Sequence, residues 1–142
     1  AGERVQPLSR VREDPAQPNL RQVHLIHSEL FDELAHAGYT IGPGDLGENI
    51  TTSGIDLLTL GRDTLLHIGA HAVLKVTGLR NPCSQIESFR PGLLKQVAVR
   101  SEGKIERKAG IMTVALEGGV VRARDAIRIE RPDGPHVPLE RV

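Results

Sequence analysis

DTLLHIGAHAVLKVTG, residues 63–78, decides the fold. It holds two short apolar runs, DTLLHIG and AVLKVTG, joined around Gly69–His71. Each run is too short for a typical helix and is rich in aliphatic residues, so the pair predicts a β-hairpin. Working outward, KIERKAGIMTVAL (104–116) and VVRARDAIRIER (120–131) predict further strands separated by Gly118–Gly119, with a turn at SEG (101–103). Upstream, QVHLIH (22–27) alternates, with Val23, Leu25 and His27 on one face, which predicts another strand. Many short strands and few helices, without regular βαβ alternation, predict a mainly β domain. The expected architecture is a β-barrel with a few peripheral helices.

The helices are few and short. Ser28 is the expected N-cap of ELFDELAHAG, where Leu30, Phe31, Leu34 and Ala35 form one stripe and Gly38 stops the helix. PGLLKQV (91–97) predicts a second helix with Pro91 in its first turn. Between the first helix and the hairpin lies GPGDLGENITTSG (42–54), whose glycines and short polar residues predict a loop over the surface or into a site. Residues 1–18 read as an irregular lead-in and 19–142 as one domain, ending in the proline-rich tail PDGPHVPLERV.

Composition narrows the function classes. The chain has 142 residues, enough for one core without staples, and a single cysteine, which excludes an internal disulfide scaffold. That points to a reducing compartment, the cytoplasm. No apolar run approaches the ~18 residues a membrane span requires, and the first residues lack the apolar core of a secretory signal. Formal net charge is zero, yet residues 1–70 carry 5 basic and 10 acidic residues while 71–142 carry 13 and 8. A basic half suits an anionic small molecule or a nucleic acid. Two Phe, one Tyr and no Trp leave almost nothing to stack on bases, which argues against nucleic acid.

Chemistry centres on GLRNPCSQI (78–86), which holds Cys83. A free cysteine often packs as a small hydrophobe. RNPC is instead polar and proline-constrained, which displays a side chain, and Arg80 is placed to stabilise a thiolate, the nucleophilic and metal-binding form. The residues alone leave both readings open. His24 and His27, three apart in a strand, face opposite ways, and no histidine pair has zinc-helix spacing, so core or solvated histidines account for them. No G-x-S-x-G, P-loop or G-x-G-x-x-G is present. In the glycine-rich segment, Glu48 and Asn49 are candidate hydrogen-bonding groups for a heterocycle, or simple loop caps.

Taken together, PGDLGENITTSGIDL (43–57), the apolar hairpin and GLRNPC (78–83) resemble the MOSC domain, the C-terminal domain of molybdenum cofactor sulfurases, in its bacterial stand-alone form. RQVHLI, PGLLK, AGIMTVAL and Gly118–Gly119 follow the same pattern, so the resemblance covers residues 19–131. It implies a barrel of the MOSC, pyruvate-kinase-barrel-like type. It also implies that Cys83 ligates molybdenum or carries sulfur as a persulfide, and that Arg80, Asn81, Glu48, Asn49 and Thr51 meet the phosphate and polar edges of molybdopterin. The implied function is a molybdenum-cofactor-binding domain with Cys83 as metal ligand, in an oxidoreductase acting on N-hydroxylated compounds. The alternatives are a persulfide sulfur carrier for metal–sulfur cofactor assembly and a non-catalytic binding domain. The sequence shows neither a pyridoxal-phosphate desulfurase domain nor ferredoxin cysteines, so a separate protein is expected to donate sulfur or electrons. Two departures stand out. The family's upstream G-D-x-H segment is not found, leaving the lead-in truncated or diverged. The Gly-Asp pair that often precedes the last strand is here Arg124–Asp125.

Overall fold

A computed structural model describes residues 22–142; the predicted lead-in over 1–18 lies outside them. Strand β1 (Gln22–His27) leads into helix α1 (Glu29–His36), and β2 (Ile50–Thr52) follows. The hairpin is β3 (Leu65–Ile68) and β4 (Ala72–Leu79), then come helices α2 (Ser84–Phe89) and α3 (Leu93–Val97). Strands β5 (Ala98–Ser101), β6 (Lys104–Arg107), β7 (Ile111–Glu117) and β8 (Ile127–Glu130) complete the order. The hairpin that the apolar runs predict is present and antiparallel, with Leu66 opposite Leu74.

Six strands form one sheet in the order β2-β1-β7-β4-β3-β8, and β5 and β6 pair separately. The sheet curls into an open half-barrel. No ladder joins its edge strands β2 and β8 among the described residues, so the expected barrel takes this open form. Both edges are short, three and four residues, which limits the unpaired backbone they present. All ladders are antiparallel except β1–β2, which run parallel with α1 as the crossover. That βαβ unit was not anticipated. Composition predicts a loop over 42–54, yet Ile50–Thr52 is a strand; buried on both faces, it shows no alternation.

Alternation in β1 divides the core. Val23 and Leu25 join Leu66, Ile68, Leu74, Val76 and Ile111 on one side of the sheet. Ile26 faces the other side, packing with Leu30, Phe31 and Leu34 of α1 and with Ile86, Leu93 and Val97 of α2 and α3. The apolar face of each helix is thus buried against Ile26 and the other helices, which at ~25 cal/mol per Å2 of apolar area is what holds such short helices.

Local signals held in part. Gly38 sits just beyond α1 with φ 95, the left-handed conformation of a helix stop. Ser28 does not cap: its backbone is helical and its side chain makes no cap bond. Its N–H instead donates to Thr52 O at 2.6 Å, extending the β1–β2 ladder. The second helix begins at Leu93, because Pro91 and left-handed Gly92 form the turn before it, and α2 was missed. The predicted 104–116 strand breaks at 108–110, and only Ile127–Glu130 of 120–131 is extended. The tail is pinned: Leu79 N–H donates to Glu140 O at 2.7 Å and Val142 N–H to Leu79 O at 3.0 Å.

Arg124, at the position where the family often has glycine, has φ 73. Asp125 holds this turn by accepting the Arg122 N–H at 2.8 Å. A left-handed backbone costs a side-chain-bearing residue roughly 1 kcal/mol relative to glycine. Arg124→Gly is therefore expected to stabilise the domain by up to about 1 kcal/mol. A lowered urea midpoint would contradict that.

Candidate functional site

Gln22 and His24 lie on the face of β1 opposite Val23 and Leu25, and His24 pairs in register with Met112 of β7. Above this face opens a cleft of about 600 Å3 lined by Gln22, His24, Gly47, Asn49, Arg80, Asn81, Met112 and Val142. Two motifs distant in sequence meet here: Asn49 comes from GENITT, Arg80 and Asn81 from GLRNPC.

Each is held by identifiable bonds. Asn49 extends the β1–β2 pairing by one residue: its N–H donates to His24 O at 2.8 Å, and its Oδ1 accepts the His24 N–H at 2.9 Å. Among the described residues its side-chain NH2 has no acceptor, which keeps both donors. Arg80 follows β4, where its N–H donates to Gly110 O at 3.0 Å. Its Nη1 donates to Leu46 O at 2.6 Å, clamping the 42–47 turn. Asn81 Oδ1 accepts from Arg107 Nε at 3.0 Å, which again leaves its NH2 free to donate. Arg80 and Gly47 also line a smaller cavity of about 200 Å3, with Gln85 and Phe89 on its far side.

The other sequence candidates lie elsewhere. Glu48 is only 1% exposed and Thr51 is buried, so neither lines the cleft. They bond each other, with Thr51 Oγ1 donating to Glu48 Oε2 at 3.0 Å, while Glu48 Oε1 is buried without a partner. Cys83 is exposed at the entrance to α2 and lines neither cavity. Its Sγ lies 3.9 Å from Oε1 of Gln85, a weak contact. Along the chain Cys83 follows two residues after Asn81, which does line the cleft.

Sequence reasoning passed over His24 as a core or solvated histidine. It is buried, and its Nε2 lies 2.6 Å from Ala109 O. A carbonyl only accepts, so Nε2 carries the hydrogen of the neutral ring. Its pKa is lowered to about 4, chiefly by burial and in lesser part by the Arg80 charge, against the opposing pull of the Ala109 and Gly47 backbone. His24 is therefore a neutral wall at ordinary pH. The alternation of QVHLIH was the signal that Gln22 and His24 share a face. Nothing local marks Val142, which arrives only through the tail's docking on β4. Among the described residues no cluster of three or more His, Cys, Asp or Glu is grouped to hold a metal ion.

The family model for the MOSC domain matches residues 14–128. The chain belongs to the MOSC domain family. Solved structures agree on the fold. YiiM from Geobacillus stearothermophilus superposes with a TM-score of 0.68 at 22% identity, over 82% of this chain and 57% of that one. The YUAD protein from Bacillus subtilis gives 0.60 at 26% identity, over 75% and 62%. YiiM from Escherichia coli gives 0.61 at 19% identity, over 81% and 57%. This MOSC domain thus spans about three-fifths of the length of those structures. Among curated proteins, none matches it. No described helix is long and apolar enough to cross a membrane.

Proposed function

We propose that this MOSC domain binds the molybdenum cofactor in the 600 Å3 cleft, with Cys83 as molybdenum ligand, as part of an oxidoreductase acting on N-hydroxylated compounds. The carrying observation is that Asn49, Arg80 and Asn81, drawn from both family motifs, line one cleft, with an exposed thiol two residues along the chain from Asn81. The donor set suits a phosphate-bearing pterin. Arg80, already fixed by one bond to Leu46 O, keeps further N–H groups for a phosphate, and the amides of Asn49 and Asn81 keep donors for ring edges. Glu48 and Thr51 are buried and bonded to each other, outside the lining. Cys83 supplies a soft thiolate ligand. When bound, the cofactor supplies a metal centre for oxygen-atom and electron transfer, and the chain's residues bind it, orient it and hold His24 neutral beside it. A separate donor protein brings the electrons. An unpaired exposed thiol favours the reducing cytoplasm as the place of action.

One observation favours a second reading, a persulfide carrier that retains no cofactor: Cys83 lies outside the cleft lining and is open to a donor's approach. One experiment separates the two. The protein and Cys83→Ser are produced in a host that makes the cofactor, then examined by metal analysis, pterin fluorescence and intact mass. Molybdenum is expected to fall by at least about tenfold in the variant. Equal molybdenum in both would end the ligand role. A one-sulfur mass gain on Cys83 after treatment with a desulfurase, without molybdenum, would establish the carrier instead.

A further inference from the structure

A second recess lies apart from the cleft. It occupies about 90 Å3 where the turn before β3 meets the chain leaving β8, and it shares no lining residue with either cavity described above. Its lining includes Arg62 and Thr64 from one side and Arg131, His136 and Val137 from the other. We propose that this recess binds one tetrahedral oxyanion, a phosphate group, between the guanidinium groups of Arg62 and Arg131 and the His136 ring.

The strand register brings the cations together. Leu65 pairs with Glu130, so Arg62, just before β3, and Arg131, just after β8, emerge at the same end of the ladder. The backbone around them is tied. The Arg62 N–H donates to Val137 O at 2.9 Å. Thr64, fully buried, donates its hydroxyl to Gly61 O at 2.7 Å and floors the recess. The His136 ring packs against Gly61, where an added Cβ would lie 3.0 Å from Nδ1. Pro132 and Pro135 stiffen the return path.

The charges are unspent. Among the described residues the ion pairs are His67–Glu130 and Lys108–Glu33, and neither arginine of the recess takes part. Among the described residues no hydrogen bond engages the side chains of Arg62, Arg131 or His136, whereas Arg80 and Arg107 are each committed to a partner. Asp63 and Asp133, on the same turns, are exposed and do not line the recess. Two cations converging without a carboxylate repel one another, and an oxyanion between them relieves that repulsion with charge-assisted hydrogen bonds. The volume admits a phosphate group and leaves a larger substituent outside. Inorganic phosphate and a phosphate monoester thus share the chemistry of the site.

The test is a backbone amide NMR titration of the full chain with inorganic phosphate, at constant ionic strength set with chloride. Phenyl phosphate forms a second arm. The amides of residues 62–64 and 131–137 are expected to shift saturably. Arg62→Gln with Arg131→Gln should weaken binding by about tenfold or more, and Arg100→Gln should leave it unchanged. Both arginines are exposed, and Arg62→Lys with Arg131→Lys provides a charge-preserving version should the double glutamine variant unfold; it should retain part of the affinity. Shifts from phenyl phosphate as well mean that the group is read on a larger molecule. Shifts from phosphate alone mean a free anion, and both support the site. Equal shifts in wild type and the double glutamine variant, or equal shifts with chloride, would overturn it.

Discussion

Gly110→Ala is expected to cost more than about 3 kcal/mol of folding stability. Gly110 has φ 91, and an added Cβ would press deep into the Leu25 carbonyl oxygen and lie 2.8 Å from Ile26 Cγ1. Neither neighbour can yield, since Leu25 and Ile26 are fully buried in β1, which is paired on both sides. The effect reaches the cleft. Ala109 O holds the His24 ring and Gly110 O holds the Arg80 N–H, so pushing this connector outward loosens both. Gly103→Ala is the matched control: its φ is 79, with nothing within 4 Å of the added atom, so only the backbone cost of about 1 kcal/mol applies. Urea unfolding of the two variants checks the difference. Equal losses would show that the close approach to Leu25 carries no weight.

Acidification is expected to destabilise the domain before its carboxylates protonate. His24 has a folded pKa of about 4 against the ordinary 6.5. As pH falls below about 6.5 the unfolded chain takes the proton first, so stability is full above that value and declines towards pH 4. The whole descent amounts to about 3 kcal/mol, at 1.36 kcal/mol per pH unit of separation. His27, whose pKa burial also lowers, acts in the same direction. Between pH 6.5 and 5 few carboxylates titrate, so that interval isolates the histidines. Denaturant unfolding should show a decline there in wild type and a shallower one in His24→Asn. Identical slopes would remove His24 as the cause.

How far the sequence reached varied with the physics of each element. The β3–β4 hairpin and α1 were legible because their apolar residues repeat with the period of their own backbone. Strand β2 was hidden, since three residues buried on both sides carry no period at all. Helix α2 follows Pro82 and Cys83 and is only six residues long, so its existence depends on Ile86 packing beneath α1 rather than on any propensity of its own. The site divides similarly. Arg80, Asn81 and Asn49 do line one cleft, while Glu48 and Thr51, their neighbours in the same motifs, turn inward and bond each other. A side-chain pattern of this kind depends on which way β2 faces, and that was invisible once β2 was read as loop.

By itself, then, the sequence determined the class of the domain, its hairpin, its first helix and the two segments that mark its family. Those features are local: they follow from hydrophobic period, turn residues and motif spacing within a few residues of chain. Only the tertiary structure decided that the sheet formed by the described residues is open, that His24 is a buried neutral wall, that Val142 lines the cleft, and that Cys83 is exposed without lining it. Each of these turns on contacts between residues far apart in sequence. The burial and register that create those contacts exist only after the whole chain has packed.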